Sequence, residues 1–317
     1  MRTHSKALRR ARWIALASAV VALIFVTSLG TRNRVEANHP VLVEGNCDSP
    51  VPGTTLVSPG TCGDFDGDGR IGTAEDTDGA DRIFGTINAA IGPGTGAAAG
   101  TGANHNGLVK IVASGRFAEA IYIGQNVGGP GSPGVANPGN LTLEAAPGVN
   151  AMIDAILQGD PAGGNVTRTN GVGIVINYTA PDRRVTLRNL DIRNWDIGVE
   201  VSGTSRVTID NCRFENNLNG GIKLGGTSQT VINDTQVNAT GFRTGVGNSS
   251  PTTSHSVLIN SPAAARIVNS TISYSANTGI FNTGAAANVV LYKVSTFFNA
   301  VNVAGPVTIC TDAAVCQ

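Results

Sequence analysis

A run of twelve residues has the types and spacing to hold a divalent cation: Asp64-Phe-Asp66-Gly-Asp68-Gly69-Arg70-Ile71-Gly72-Thr-Ala-Glu75. Asp64, Asp66 and Asp68 occupy positions one, three and five of a calcium-binding loop. Gly69 supplies the sharp turn at six, the Arg70 carbonyl serves at seven, and Glu75 closes the loop as a bidentate ligand. Gly72 at position nine has no side chain, so a water fills that coordination place. Carboxylates packed this closely repel one another unless a cation offsets them. Ca2+ is therefore the expected cofactor. Asp76, Asp78 and Asp81 follow at once and would add a ligand or cap the next element.

A second concentration of reactive side chains runs from Arg183 to Lys223. Paired carboxylates suit glycoside hydrolysis, and an arginine beside carboxylates suits proton abstraction in a polysaccharide lyase. Arg183, Asp191, Asp196 and Arg213 are the catalytic candidates on that view. Trp195 beside Asp196 is a candidate sugar-binding pair, its bland alternative being an aromatic that only covers a neighbouring corner. His39, His105 and His255 share no spacing, which leaves no basis for a metal or nucleophile triad. The Gly-rich segments lack the Lys-Ser/Thr ending of a phosphate cradle.

The elements beneath these charges repeat. Arg184-Val-Thr-Leu-Arg-Asn-Leu-Asp-Ile-Arg-Asn-Trp returns 22 residues later as Arg206-Val-Thr-Ile-Asp-Asn-Cys-Arg-Phe-Glu-Asn-Asn. Short alternating apolar runs at a fixed period in the low twenties predict stacked rungs of a solenoid. One ladder is Ile174/Ile176, Val199/Val201, Ile222/Leu224, Val257/Ile259, Ile280 and Val301/Val303. A second is Val185/Leu187, Val207/Ile209, Thr230/Ile232, Ala265/Ile267 and Val289/Leu291. The step from Ile232 to Ile267 is 35 residues, the excess being an inserted loop over 242–254. Asn189, Asn211, Asp234 and Asn269 recur after the second ladder, where the chain must turn through left-handed backbone angles. About six or seven rungs at about 4.8 Å each are expected.

This register accounts for most of the charges. Arg188 falls over Asp210, Asp191 over Arg213, Arg193 over Glu215 and Glu200 over Lys223, all complementary. Arg184 over Arg206 is the like-charge exception and a candidate anion contact. Asp196 finds Leu218 in its partner's place.

Phe84 to Ala90, Gly115-Arg-Phe117-Ala-Glu119-Ala-Ile121, Leu141-Thr-Leu143 and Ile153-Asp154 come in an order that resembles the opening of the right-handed parallel β-helix proteins of the pectin-lyase-like group. The resemblance implies an all-β, right-handed parallel β-helix solenoid with a short N-terminal capping helix, its apolar stripe being Ile83, Ile87, Ala90 and Ile91. It makes Glu119 and Asp154 framework residues, and it is specific for fold rather than chemistry. The calcium loop, whose flanks are not helical, resembles the EF-hand-like loops of secreted modules such as dockerins.

Residues 1–37 carry a basic leader, an apolar run over 13–29 and the small-residue site Val35-Glu36-Ala37, the order of a secretory signal peptide. An uncleaved membrane anchor is the alternative. Removing residues 1–37 leaves 15 basic and 21 acidic side chains, a net charge of −6. No nucleic-acid partner and, after cleavage, no membrane partner are expected. In an oxidising compartment Cys47 with Cys62 and Cys310 with Cys316 are expected disulfides, and Cys212 a buried structural thiol.

The expected organisation is a signal over 1–37, a linker with a disulfide loop over 38–63, the calcium loop over 64–81 and the β-helix over 82–317. The expected function is a secreted or cell-surface calcium-stabilised scaffold with polysaccharide contact near Asp196 and the 242–254 insertion. A polysaccharide lyase or glycoside hydrolase is the alternative, and a self-assembling filament subunit the third reading.

Overall fold

The computed structural model describes residues 41–44, 82–91, 107–124, 140–155, 171–178, 183–238, 240–241, 254–285 and 288–311. The chain divides into Met1–Asn38, outside the described residues, and His39–Gln317. The leader, the calcium loop, Cys47, Cys62, Cys316 and residues 242–253 likewise lie outside the described residues.

The described chain winds through three parallel sheets. Sheet A holds β1 (Val41–Val43), β2 (Arg82–Phe84), β3 (Leu108–Ile111), β6 (Leu141–Ala145), β9 (Arg184–Arg188), β12 (Arg206–Asp210), β15 (Gln229–Asn233), β18 (Ala264–Val268), β21 (Val289–Tyr292) and β24 (Thr308–Cys310). Sheet B holds the short strands β4 (Gly115–Phe117), β7 (Ala151–Asp154), β10 (Leu190–Arg193), β13 (Arg213–Glu215), β16 (Gln236–Asn238), β19 (Thr271–Ser273) and β22 (Ser295–Phe297). Sheet C holds β5 (Ile121–Gly124), β8 (Val172–Tyr178), β11 (Ile197–Gly203), β14 (Gly220–Leu224), β17 (His255–Ile259), β20 (Thr278–Asn282) and β23 (Val301–Ala304). Each of seven turns gives one strand to each sheet.

The register is the one the spacing predicts. Val207 stands beside Val185 and Thr230, and Ile209 beside Leu187 and Ile232. Ile222 stands beside Val199 and Val257. The 35-residue step leaves the ladder intact, because Ile232 still meets Ile267. The inward residues of these runs are buried in one core cluster, since period-two alternation puts every second side chain inside the coil.

Two corner ladders flank sheet B. Asn189, Asn211, Asp234 and Asn269 have φ of 58, 50, 47 and 48°, and Lys293 continues them at 52°. The Asn211 amide donates to Asn189 Oδ1 at 2.8 Å, so the turns are bonded rung to rung. The second ladder, Asn194, Asn216, Tyr274 and Phe298, is one the spacing did not reveal. Its last two members are aromatic, unlike the amide-bearing residues that usually take this conformation.

The entry to the coil differs from expectation. Val41–Val43, expected in a linker, is a strand paired on one side with β2 and on the other with β3. The segment 44–81, which carries the calcium-loop sequence, therefore connects two hydrogen-bonded neighbours. Ile83 and Phe84 lie in β2 rather than in a helix, and helix α1 spans Ile87–Ile91. Ile87, Ala90 and Ile91 are buried, and α1 lies against β1, β2, β3 and β5. Glu119 fastens it: the backbone N–H groups of Ile87 and Asn88 donate to its carboxylate at 2.6 and 3.0 Å. The Asn88 amide adds a third donor at 2.9 Å, and its oxygen accepts from the Tyr122 N–H.

Candidate functional site

The outer face of sheet B carries the densest charge on the described chain. Its strands are short, so residues two apart point outward together while the intervening Ile192 and Phe214 fill the core. Asp191 stands beside Arg213 and Arg193 beside Glu215, as the 22-residue spacing requires. The ion pairs, however, form within strands. Arg193 grips Asp191 through Nη2 and, at 3.2 Å, through Nε, and Arg213 Nη2 lies 2.9 Å from Glu215 Oε2. Outward neighbours on one strand are about 6.7 Å apart, within an arginine's reach, so register alone does not choose the partner.

One strand away, Asp154 is wholly buried. Arg116 Nε lies 3.3 Å from it and the Asn194 amide donates to it at 2.8 Å. This carboxylate ties β4 and β7 to the second corner ladder, in keeping with a framework role. Burial alone would lower the Arg193 pKa, but the Asp191 carboxylate, with Glu215 and Asp154 beyond it, holds it above the ordinary value. Arg193 therefore stays a cation and is no proton acceptor.

A groove of about 590 Å³ runs beside these strands, lined among others by Asp191, Arg193, Arg213 and Asp234. Two of the sequence candidates, Asp191 and Arg213, share it, while Arg183 and Asp196 are not among its lining residues. Asp234 joins the groove unannounced, because in the sequence it only replaces asparagine in the first corner ladder. Its signal was that replacement.

The Trp195–Asp196 pair is arranged differently from a sugar platform. Trp195 is 4% exposed and its indole N–H donates to the Ile153 carbonyl at 3.0 Å. The ring fits over Gly173, where a Cβ would stand 2.8 Å from Trp195 Cδ1. The absence of a side chain at Gly173 was the available signal for this burial. Asp196 sits at the corner between β10 and β11, and its carbonyl accepts from Asn219 N at 2.7 Å and Gly220 N at 3.1 Å. Asn219 rather than Leu218 is thus its neighbour, since the repeat lengthens from 22 to 23 residues at this corner.

Arg183 precedes β9, and its carbonyl accepts from Arg206 N at 3.2 Å. The expected cross-strand pairs do form elsewhere. Arg188 Nε lies 3.0 Å from Asp210 and Lys223 Nζ 2.9 Å from Glu200.

Parallel strands, a low-twenties period and αL corners from β9 onward leave the winding sense to be settled. Residues 162–295 match the family model described as "Right handed beta helix region". The chain carries a right-handed parallel β-helix. The match runs from the approach to β8 to the first residue of β22. None of the curated proteins and none of the solved structures gives a match.

Within this β-helix, Cys212 is buried in the inward series Leu190, Cys212, Thr235, Ser270, which follows the first corner ladder. The Thr235 hydroxyl accepts from Cys212 N at 3.4 Å. Burial pushes the Cys212 thiol up to about 12, which leaves almost no thiolate near neutral pH. Among the described residues no group of three His, Cys, Asp or Glu side chains is placed to hold a metal, and no helix is long and apolar enough to cross a membrane.

Proposed function

We propose that this β-helix is an exported, calcium-stabilised scaffold at the cell surface or outside the cell, without catalytic activity of its own. The observation that carries the reading is the state of the sheet B charges. Asp191 and Arg213, the candidates that share a groove, are each bound to an opposite charge on their own strand. A glycosidase needs one carboxyl held protonated and another free to attack, and a lyase needs a base that can lose its proton. Neither demand is met by these pairs. Polysaccharide contact is assigned to the corner of Asp196 and the 242–254 insertion. Sequence stretches 156–170 and 239–254 both join sheet B to sheet C, as the Asp196 corner does. Trp195, being buried, takes no part in it.

Calcium at Asp64, Asp66, Asp68, the Arg70 carbonyl and Glu75 would tie down the crossover from β1 to β2. Disulfides Cys47–Cys62 and Cys310–Cys316 would pin that crossover and the segment after β24. Helix α1 is assigned the role of covering the first turn, whose backbone groups would otherwise be an open sheet edge.

The decisive experiment incubates the exported chain with a panel of neutral and acidic polysaccharides and measures new reducing ends and unsaturated products. No release is expected. Release that disappears in Asp191→Ala would replace the scaffold by an enzyme acting in the sheet B groove. Removal of calcium by chelator is expected to lower the melting temperature, and an unchanged value would sink the calcium assignment.

A self-assembling scaffold is favoured by one specific observation. The exposed large apolar side chains include Tyr274, Phe297, Phe298, Val301 and Ile309, all in the last two turns or in β24. Ile309 is 72% exposed although it stands directly over buried Leu291. Light scattering on the full chain is expected to show concentration-dependent association that Ile309→Lys abolishes.

A further inference from the structure

The outer face of sheet A carries an arrangement that neither the fold nor the proposed scaffold role requires. Arg184 and Arg206 are direct neighbours on β9 and β12 and are both exposed. Like charges placed opposite one another on adjacent strands destabilise a sheet. Arg266 on β18 projects from the same face between Val231 and Val290. Its Nε is buried and has no hydrogen-bond partner among the described residues, a costly state for a charged donor. These three arginines line one groove of about 540 Å³ that no Asp or Glu lines. None of the three forms an ion pair among the described residues.

The groove has more than charge. Thr186 and Thr208 form a hydroxyl row between Arg184 and Arg206 on one side and the ion-paired Arg188 and Asp210 on the other. Val231, Ala264 and Val290 give it an apolar floor. Two guanidinium groups from adjacent strands, with a third entering from β18, present more donors than a carboxylate's two oxygens can accept. A tetrahedral oxyanion with three or four acceptor oxygens and up to two negative charges matches them, and arginine forks favour that geometry.

We infer that the Arg184–Arg206–Arg266 groove on sheet A is a binding site for a sulfate or phosphate ester group, whose organic part lies over Val231, Ala264 and Val290. The site is separate from the sheet B groove and from the Asp196 corner, so it stands whether or not the scaffold reading does.

The test measures thermal midpoints of the full chain at constant ionic strength with inorganic phosphate, inorganic sulfate or acetate. Dissociation constants for dextran sulfate, polyphosphate, polygalacturonate and neutral dextran follow. Phosphate or sulfate is expected to raise the wild-type midpoint while acetate does not. A response to one of the two assigns the ester, and a response to both assigns the shared chemistry. In Arg184→Gln/Arg206→Gln and in Arg266→Gln the response is lost, and polymer affinity falls about tenfold per arginine removed. Without oxyanion the double variant melts no lower than wild type, because a like-charge pair has gone, which shows that the loss is not misfolding. An unchanged midpoint with both tetrahedral anions, an equal effect of acetate or polygalacturonate, or a response that persists in the variants would overturn the assignment.

Discussion

On the outer face of sheet B each arginine of β10 and β13 lies against a carboxylate, whereas on sheet A Arg184 and Arg206 face one another with no carboxylate between them. Both faces come from the same repeat and are cut to the same register. On β10 and β13 of sheet B, acid and base alternate along the strand as well as across strands: Asp191 and Arg193 lie over Arg213 and Glu215. Every cation there has two acids in reach. On sheet A the alternation holds only in one column, where Arg188 lies between Glu144 at 3.6 Å and Asp210 at 3.0 Å. Two positions back along each strand, the column of Thr186 and Thr208 carries no acid and continues through Val231 to Arg266, and the one beyond it carries arginine twice. A solenoid copies position from turn to turn, so a charge that repeats in kind accumulates, while one that alternates cancels. The first pattern leaves a face available to an outside anion and the second closes it.

The largest expected effect comes from breaking the compensated face. Asp154→Ala removes the buried carboxylate that holds Arg116 and Asn194, and leaves their donors without it. A loss of about 3 kcal/mol in urea unfolding is expected, since a cationic and an amide donor lose a fully buried charged acceptor although Arg116 itself is partly exposed. A loss as small as that of an exposed pair would show that sheet B draws little from its charges.

An intermediate effect is expected from a carboxylate that belongs to neither face. Glu119→Ala removes the acceptor of three donors on α1 and should cost about 2 kcal/mol at neutral pH. Its pH dependence has a definite sign. Burial raises the Glu119 carboxyl above its ordinary value, against the hydrogen bonds from Asn88 and Ile87 that act to lower it. The folded state then holds this proton more tightly than the unfolded chain. Its contribution to stability therefore falls as pH rises from the ordinary carboxylate value through the raised one. Melting curves of wild type minus Glu119→Gln across that window should show this downward slope, and an upward difference would contradict it.

The smallest effect separates the two faces most directly. Asp210→Asn breaks the Arg188 pair and should cost about 0.5 kcal/mol, whereas Arg206→Gln relieves repulsion and should gain a comparable about 0.3 kcal/mol. Opposite signs in 10 mM salt, both shrinking toward zero in about 1 M salt, are the expected result. Equal signs would mean that the sheet A arginines do not feel one another.

Much of the coil is legible in the sequence repeat itself. The recurrence of Val185 and Leu187 as Val207 and Ile209 sets strand period, turn length and register together. A single-residue slip would turn the whole apolar set outward. The asparagine at 189, 211 and 269 marks a left-handed corner for a local reason, the tolerance of that residue for positive φ. The lone Cys212 was legible as structural because it lies inside a rung with no histidine within forty residues.

Other features depended on partners far away in the chain. Val41–Val43 is too short to show a period, and its neighbours, β2 and β3, begin about 40 and 70 residues later. The rotamer of Arg193 is a choice between Asp191 on its own strand and Glu215 on the next, both within reach. Trp195 is buried because Gly173, 22 residues earlier, leaves room for its ring. The three-arginine groove exists because a 35-residue step returns Arg266 to the face of Arg184 and Arg206. The repeat pattern alone was enough to write the register, since alternation and turn length are local. Which charges meet, which ring is covered and where a groove opens are settled by packing between turns, where several partners compete within one side chain's length.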